Sequence, residues 1–288
     1  MIGSSYQLCR VFGIPIRLDF SLIFLMGLIC YDTTSVFESF AVGLLFGGVY
    51  AFLLLLSIVL HELGHSLAAM RFGCRVRAIT LMVFGGRAEL SHIPTKPIQE
   101  FIVAICGPLV SMALWLVGKY GSIFLQRYMS ESSFLGNLGI GMFSELGYMN
   151  FMLFIFNLIP AFPMDGGRVL RATLAHRLGR LRATKIAATV GRGLAMAGIA
   201  YVLVYEVFPG GFSMNSMFRI LIAMFIFQAA GQEYKMVQLE SYYERNGERA
   251  PWAPPPPPPD IYVSPPPYAQ PKPKRRWWQI FRKDDDNS

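Results

Sequence analysis

Six apolar runs constrain this chain before any motif is considered. They cover residues 18–31, 42–70, 98–118, 142–165, 186–207 and 212–231, and all but the first reach the about 20 helical residues needed to cross a hydrocarbon core of about 30 Å. The first is short and carries Asp19 near its start. The chain of 288 residues is 53% hydrophobic with a mean hydropathy of +0.42, although it turns polar from about residue 232 onward. A soluble domain is excluded. The expectation is an all-α polytopic membrane protein with about six transmembrane helices. Residues 1–20 lack the charged start, apolar stretch and cleavage site of a removable signal, so the first run is expected to act as an anchor. Cys9, Cys30, Cys74 and Cys106 show no paired spacing, and neither a disulfide framework nor a zinc knuckle is indicated.

Charge gives an independent check on the topology, because basic residues collect in cytoplasmic connections. Arg10 and Arg17 precede the first run. Arg71, Arg75, Arg77, Arg87 and Lys96 follow the second, and Arg168, Arg171, Arg177, Arg180, Arg182 and Lys185 follow the fourth. The opposite connections hold Asp32 and Glu38, then Lys119 and Arg127, then Glu206 with Arg219. This bias predicts a multi-pass protein of a cell's inner or plasma membrane with both termini cytoplasmic. The net charge of +8 is largely this topological signal and calls for no nucleic-acid partner.

Within the second run stands LSIVLHELGHSLAAM, residues 56–70. In a helix His61 and His65 are displaced by about 6 Å along the axis and about 40° around it, so they share a face and can grip one metal ion. Glu62 sits at the edge of that face, in reach of a water at the metal without ligating it. This is the H-E-x-x-H arrangement of two neutral imidazoles for zinc and a carboxylate that accepts a proton. A lone helical histidine is more often a satisfied core residue, but three ionisable groups at ligand spacing inside a span cost at least about 2 kcal/mol each unless compensated. A third ligand is needed. His92 and His176 read as loop or solvated residues. In FNLIPAFPMDGGRVLRA, residues 156–172, Pro160 and Pro163 break the helix and Gly166 and Gly167 allow close approach of another element, leaving Asp165 at the break. Asp165 can ligate the metal or simply cap a helix end, and Glu145 is a rival ligand.

HELGH, the following FGGRAEL, PIQEFIVAICGPLVS and NLIPAFPMDGG together resemble the site-2 protease family of intramembrane zinc metalloproteases over about residues 10–232. The resemblance implies that His61, His65 and Asp165 bind one Zn2+, that Glu62 is the catalytic base, and that Asn157 helps hold the substrate or its oxyanion. It also implies a six-span core with a small membrane-associated β-hairpin. The domain plan is then a protease domain at 1–232, a polar connector at 233–250, and a proline-rich basic and aromatic tail at 251–288 that is expected to be disordered. PDZ and CBS modules are not recognisable, which leaves the regulatory partner unknown.

ITLMVFGGRAEL, residues 79–90, reads as that hairpin around a Gly-Gly turn, with Gly85 and Gly86 placed to meet an unwound substrate strand. The tail begins as a polyproline spacer, carries a PPPY match to WW-domain ligands, and ends in KPKRRWWQIFRK, a pattern suited to anionic lipids. The expected function is cleavage of a transmembrane or membrane-proximal segment of a protein substrate. The alternative is a membrane zinc transporter, which should carry further polar ligands along a continuous path.

Overall fold

The computed structural model describes residues 5–37, 39–82, 85–90, 96–129 and 134–247. Residues 83–84, His92, and the tail from 251 with its PPPY and basic-aromatic segments lie outside the described residues, and Gly85 and Gly86 belong to strand rather than to a turn. The order is β1 (Ser5–Val11), β2 (Ile14–Asp19), α1 (Phe20–Thr34), α2 (Phe40–Arg71), β3 (Val76–Met82), β4 (Gly85–Leu90), α3 (Pro97–Tyr128), α4 (Phe134–Leu158), α5 (Asp165–Leu178), α6 (Arg180–Val202), a π-helical turn (Leu203–Val207), α7 (Phe208–Gly210) and α8 (Met214–Asn246).

Among the described residues, five helices are long and apolar enough to cross a membrane: Phe40–Arg71, Pro97–Tyr128, Gly136–Leu158, Arg180–Gly210 and Met214–Asn246. The first apolar run behaves differently. Its 15-residue helix α1 is about 22 Å long at 1.5 Å per residue, because residues 14–19 are spent in a strand and Asp19 starts the helix by accepting a hydrogen bond from the Ser21 backbone at 2.9 Å. The α8 helix continues to Asn246 through most of the stretch read as a polar connector.

The isolated hairpin expected from the sequence is half of a larger sheet. Four strands pair in the order β1-β2-β3-β4, antiparallel except for the parallel contact of β2 with β3. The register Ile16↔Ile79 and Leu18↔Leu81 aligns apolar side chains on one face. Ile14, Ile16, Leu18, Ile79 and Leu81 bury that face against Leu22 of α1 and Ile58 and Leu63 of α2. This packing seats the sheet on the helix that carries HELGH. Among the described residues it leaves β4 as a free edge beside that helix.

The fourth apolar run is interrupted. Helix α4 ends at Leu158 and α5 starts at Asp165, with a non-helical segment between them that holds the buried Ala161 and Phe162. A side-chain carbon at Gly166 would run into the carbonyls of Leu158 and Ile159. That close approach folds the start of α5 back against the end of α4.

Candidate active site

The break in the fourth run brings together residues that are 100 positions apart. His61 Nε2 lies 3.2 Å from Asp165 Oδ2, His65 Nε2 lies 3.0 Å from the same oxygen, and the two Nε2 atoms are 3.2 Å apart. Three ligands at about 2.0–2.1 Å around a tetrahedral centre are about 3.3 Å from one another, so the spacing fits a metal of zinc's size. All three residues are buried, and they form the single cluster of this kind among the described residues. Asp165 opens α5 without capping it. The N-cap is Met164, which makes no side-chain cap bond, and the Asp165 carboxylate is turned to the imidazoles.

The other ring nitrogens are already engaged. His65 Nδ1 is 2.7 Å from the Val103 carbonyl, which can only accept, so Nδ1 carries a hydrogen and the neutral ring offers its Nε2 lone pair to a metal. His61 Nδ1 is 2.8 Å from Ser111 Oγ. Both partners come from α3, and such outer contacts fix ring orientation at metal sites. Gly107 lies between them in sequence, and a side chain there would collide with the His65 ring. One turn before His61, Asn150 of α4 donates to Ser57 at 2.8 Å and ties α2 to α4.

Two arginines of α5 carry ion pairs, one within the helix and one to its neighbours. Arg168 Nη1 approaches Asp165 Oδ1 at 3.8 Å, on the side away from the histidines. Arg171 is 1% exposed and donates to Glu100 of α3 at 2.8 and 2.5 Å and to Glu233 of α8 at 2.6 Å. Burial works against the Arg171 charge, but the two carboxylates outweigh it and its pKa is raised. Removing Arg171 or the buried Glu100 is costly because it strands the other's charge. The guanidinium also stacks on Phe162, 4.9 Å from the ring centre.

A cavity of about 1050 Å³ opens from this cluster, lined by His61, Glu62, His65, Asn157, Asp165, Arg168 and every residue of β4. Gly86 of β4 stands so close to Glu62 that a side-chain carbon would strike the glutamate. Asn157 lines the wall and donates one amide hydrogen to the Leu153 carbonyl at 2.9 Å.

The Peptidase family M50 model matches residues 49–139 and 136–198, a stretch that contains both halves of the cluster. The chain belongs to peptidase family M50. Among M50 relatives, a zinc metalloprotease of Methanocaldococcus jannaschii is 36% identical over 240 residues, covering 83% of this chain and 63% of that protein. Stage IV sporulation protein FB of Bacillus subtilis is 30% identical over 213 residues, covering 72% of this chain and 69% of that protein. The solved site-2 protease from Methanocaldococcus jannaschii aligns with a TM-score of 0.54 at 36% identity, over 80% of this chain and 95% of that one. The M50 assignment agrees with the resemblance to site-2 proteases and implies zinc, and the apolar helices make the chain an integral membrane protein.

Sequence reasoning and structure part company at several residues of this M50 site. Glu145, the rival ligand, is exposed and outside the cluster, whereas His176 is exposed on α5 in agreement with its reading as a solvated residue. Ser111, the Val103 carbonyl, Gly107, Arg168 and Arg171 were not singled out. PIQEFIVAICGPLVS carried the signal for three of them, since a glycine and a serine four residues apart present one face of a helix.

Proposed function

We propose that this chain is an intramembrane zinc metalloendopeptidase that cuts a transmembrane or membrane-proximal segment of a protein substrate. The observation that carries the reading is the convergence of His61, His65 and Asp165 beside Glu62 at the wall of a cavity whose other side is a free strand edge. His61, His65 and Asp165 hold one zinc per chain. When bound, zinc supplies Lewis acidity that makes a water nucleophilic near neutral pH. Glu62 takes the proton from the attacking water and passes it to the amide nitrogen as the C–N bond breaks. Asn157 holds the substrate backbone on the cavity wall. The chain spans 63% of the length of the Methanocaldococcus jannaschii relative, and the assignment concerns the part present here.

In this reading α1 completes a six-span core and both termini are cytoplasmic. The basic residues after α2 and through α5 and the start of α6 support that orientation, and it puts the cut toward the cytosolic side of the bilayer. The tail beyond residue 250 meets anionic lipid.

A helical substrate has to open before its peptide bond is reachable, and in lipid the freed backbone groups need partners. The edge of β4 accepts them by pairing with the unwound substrate as an added strand through Gly85 and Gly86, of which Gly86 lies against Glu62. Single proline substitutions at Arg87, Ala88 and Glu89 test this. Alternate positions along β4 send their N–H groups to β3 or to the free edge. The expected result is a loss of proteolysis of at least about ten-fold at positions facing the free edge, with zinc content and thermal stability intact. Substrates loosened by glycine should suffer least. If every inactive proline variant also loses zinc or unfolds, the edge is structural and strand addition is wrong.

A further inference from the structure

The strand edge that faces Glu62 carries charge in a fixed order. Along β4 the side chains alternate: Gly86, Ala88 and Leu90 are half-buried, whereas Arg87 and Glu89 are exposed. The half-buried set faces the helices. Ala88 packs on the sheet-helix core and Leu90 on the cluster of Ala69, Cys74 and Val103, while Gly86 sits against Glu62. Arg87 and Glu89 therefore share the opposite face. Both line the cavity, and neither makes an ion pair among the described residues.

We infer that this pair selects substrates by charge: on the strand added beside β4, Arg87 takes an acidic side chain and Glu89 a basic one two residues farther from the cut. The inference rests on the strand-addition reading above. Three steps lead to it. The substrate bond nearest Glu62 must lie beside Gly86, because nothing but a glycine fits between that strand position and the glutamate. The next substrate residue along β4 then has the outward orientation of Arg87, and the residue two beyond it that of Glu89, since side chains alternate across a sheet with a period of two. Directly opposed charges on one sheet face attract when unlike and repel when like. Reversing both substrate charges replaces two attractions by two repulsions. The order holds for a substrate strand running either way, because it is defined by distance from the cut. The selected class is a membrane-proximal segment reading acid-x-base outward from the scissile bond, on one side of it.

The test uses single-span substrates that differ at two positions, Asp-x-Lys, Ala-x-Ala and Lys-x-Asp, placed on each side of the cut in turn. On one side, the unmodified protein should cleave the form with the acid nearest the cut about three- to ten-fold faster than its reversal, with the neutral form between them. The double substitution Arg87→Glu with Glu89→Arg should invert that ratio, and Arg87→Ala alone should shrink it. Using a ratio within each variant cancels any general loss of activity. Capture of the same substrates by photo-crosslinking to Glu62→Gln gives the ranking without turnover, and it should follow the same order. A ratio near one on both sides of the cut in the unmodified protein, or an unchanged ratio in the charge-swapped variant, overturns the charge inference. Proline variants that behave as expected alongside such a ratio would leave strand addition standing while this inference falls. If no substrate is cleaved or captured at all, the protease reading and this inference fall together.

Discussion

Replacing Glu62 by Gln should leave zinc bound and lower proteolysis by at least about 100-fold. The glutamine keeps the size and the hydrogen-bonding groups of the side chain but has no basic oxygen to take a proton from water. Glu62 is adjacent to His61 on α2 and lies outside the three ligand atoms that converge within 4.8 Å, so its loss removes chemistry and spares the site. Gly86 leaves little room for the side chain to go elsewhere. Metal analysis and cleavage of a single-span substrate by the same preparation check both halves. Full activity would remove Glu62 from the mechanism, and loss of zinc would make it a ligand.

Asp165→Ala should abolish both. In the proposed site one of three ligands is then gone, and two buried imidazoles remain without the carboxylate that both face at 3.0–3.2 Å. The loss of zinc affinity should exceed the about 10–100-fold typical of removing an outer contact to a ligand. Asp165→Ala also leaves Arg168 without its partner at 3.8 Å, so thermal stability is measured alongside. Glu145→Ala serves as the reference, since Glu145 is exposed and away from the cluster. Its zinc content should be unchanged. The reverse outcome would reassign the third ligand.

What the sequence made legible depended on how local the signal was. His61 and His65 share a face because four residues is close to one helical turn, and that inference needs no tertiary structure. Asp165 was legible as a carboxylate at a helix break, yet its local pattern fits a cap equally well, and only the fold of the segment after Leu158 turns it toward α2. The strands before α1 were overlooked even though Ile14, Ile16 and Leu18 alternate with Pro15, Arg17 and Asp19. A proline and two charges next to an apolar run read as a span boundary, and the parallel pairing with β3 crosses more than 60 residues. Arg171 was counted as topological charge. Its burial between Glu100 and Glu233 requires α3, α5 and α8 to meet, which no spacing rule announces.

The central claim, that bound zinc on this chain cuts membrane-embedded polypeptide, is tested most directly by removing the metal. Purified protein in detergent is stripped with a chelator, assayed on a single-span substrate, and assayed again after zinc is restored. Product termini are then mapped. The expected result is cleavage that disappears on stripping, returns with about one zinc per chain, and maps toward the cytosolic side of the substrate's span. Cleavage that persists without metal, or zinc that binds and never supports cleavage, would contradict the account.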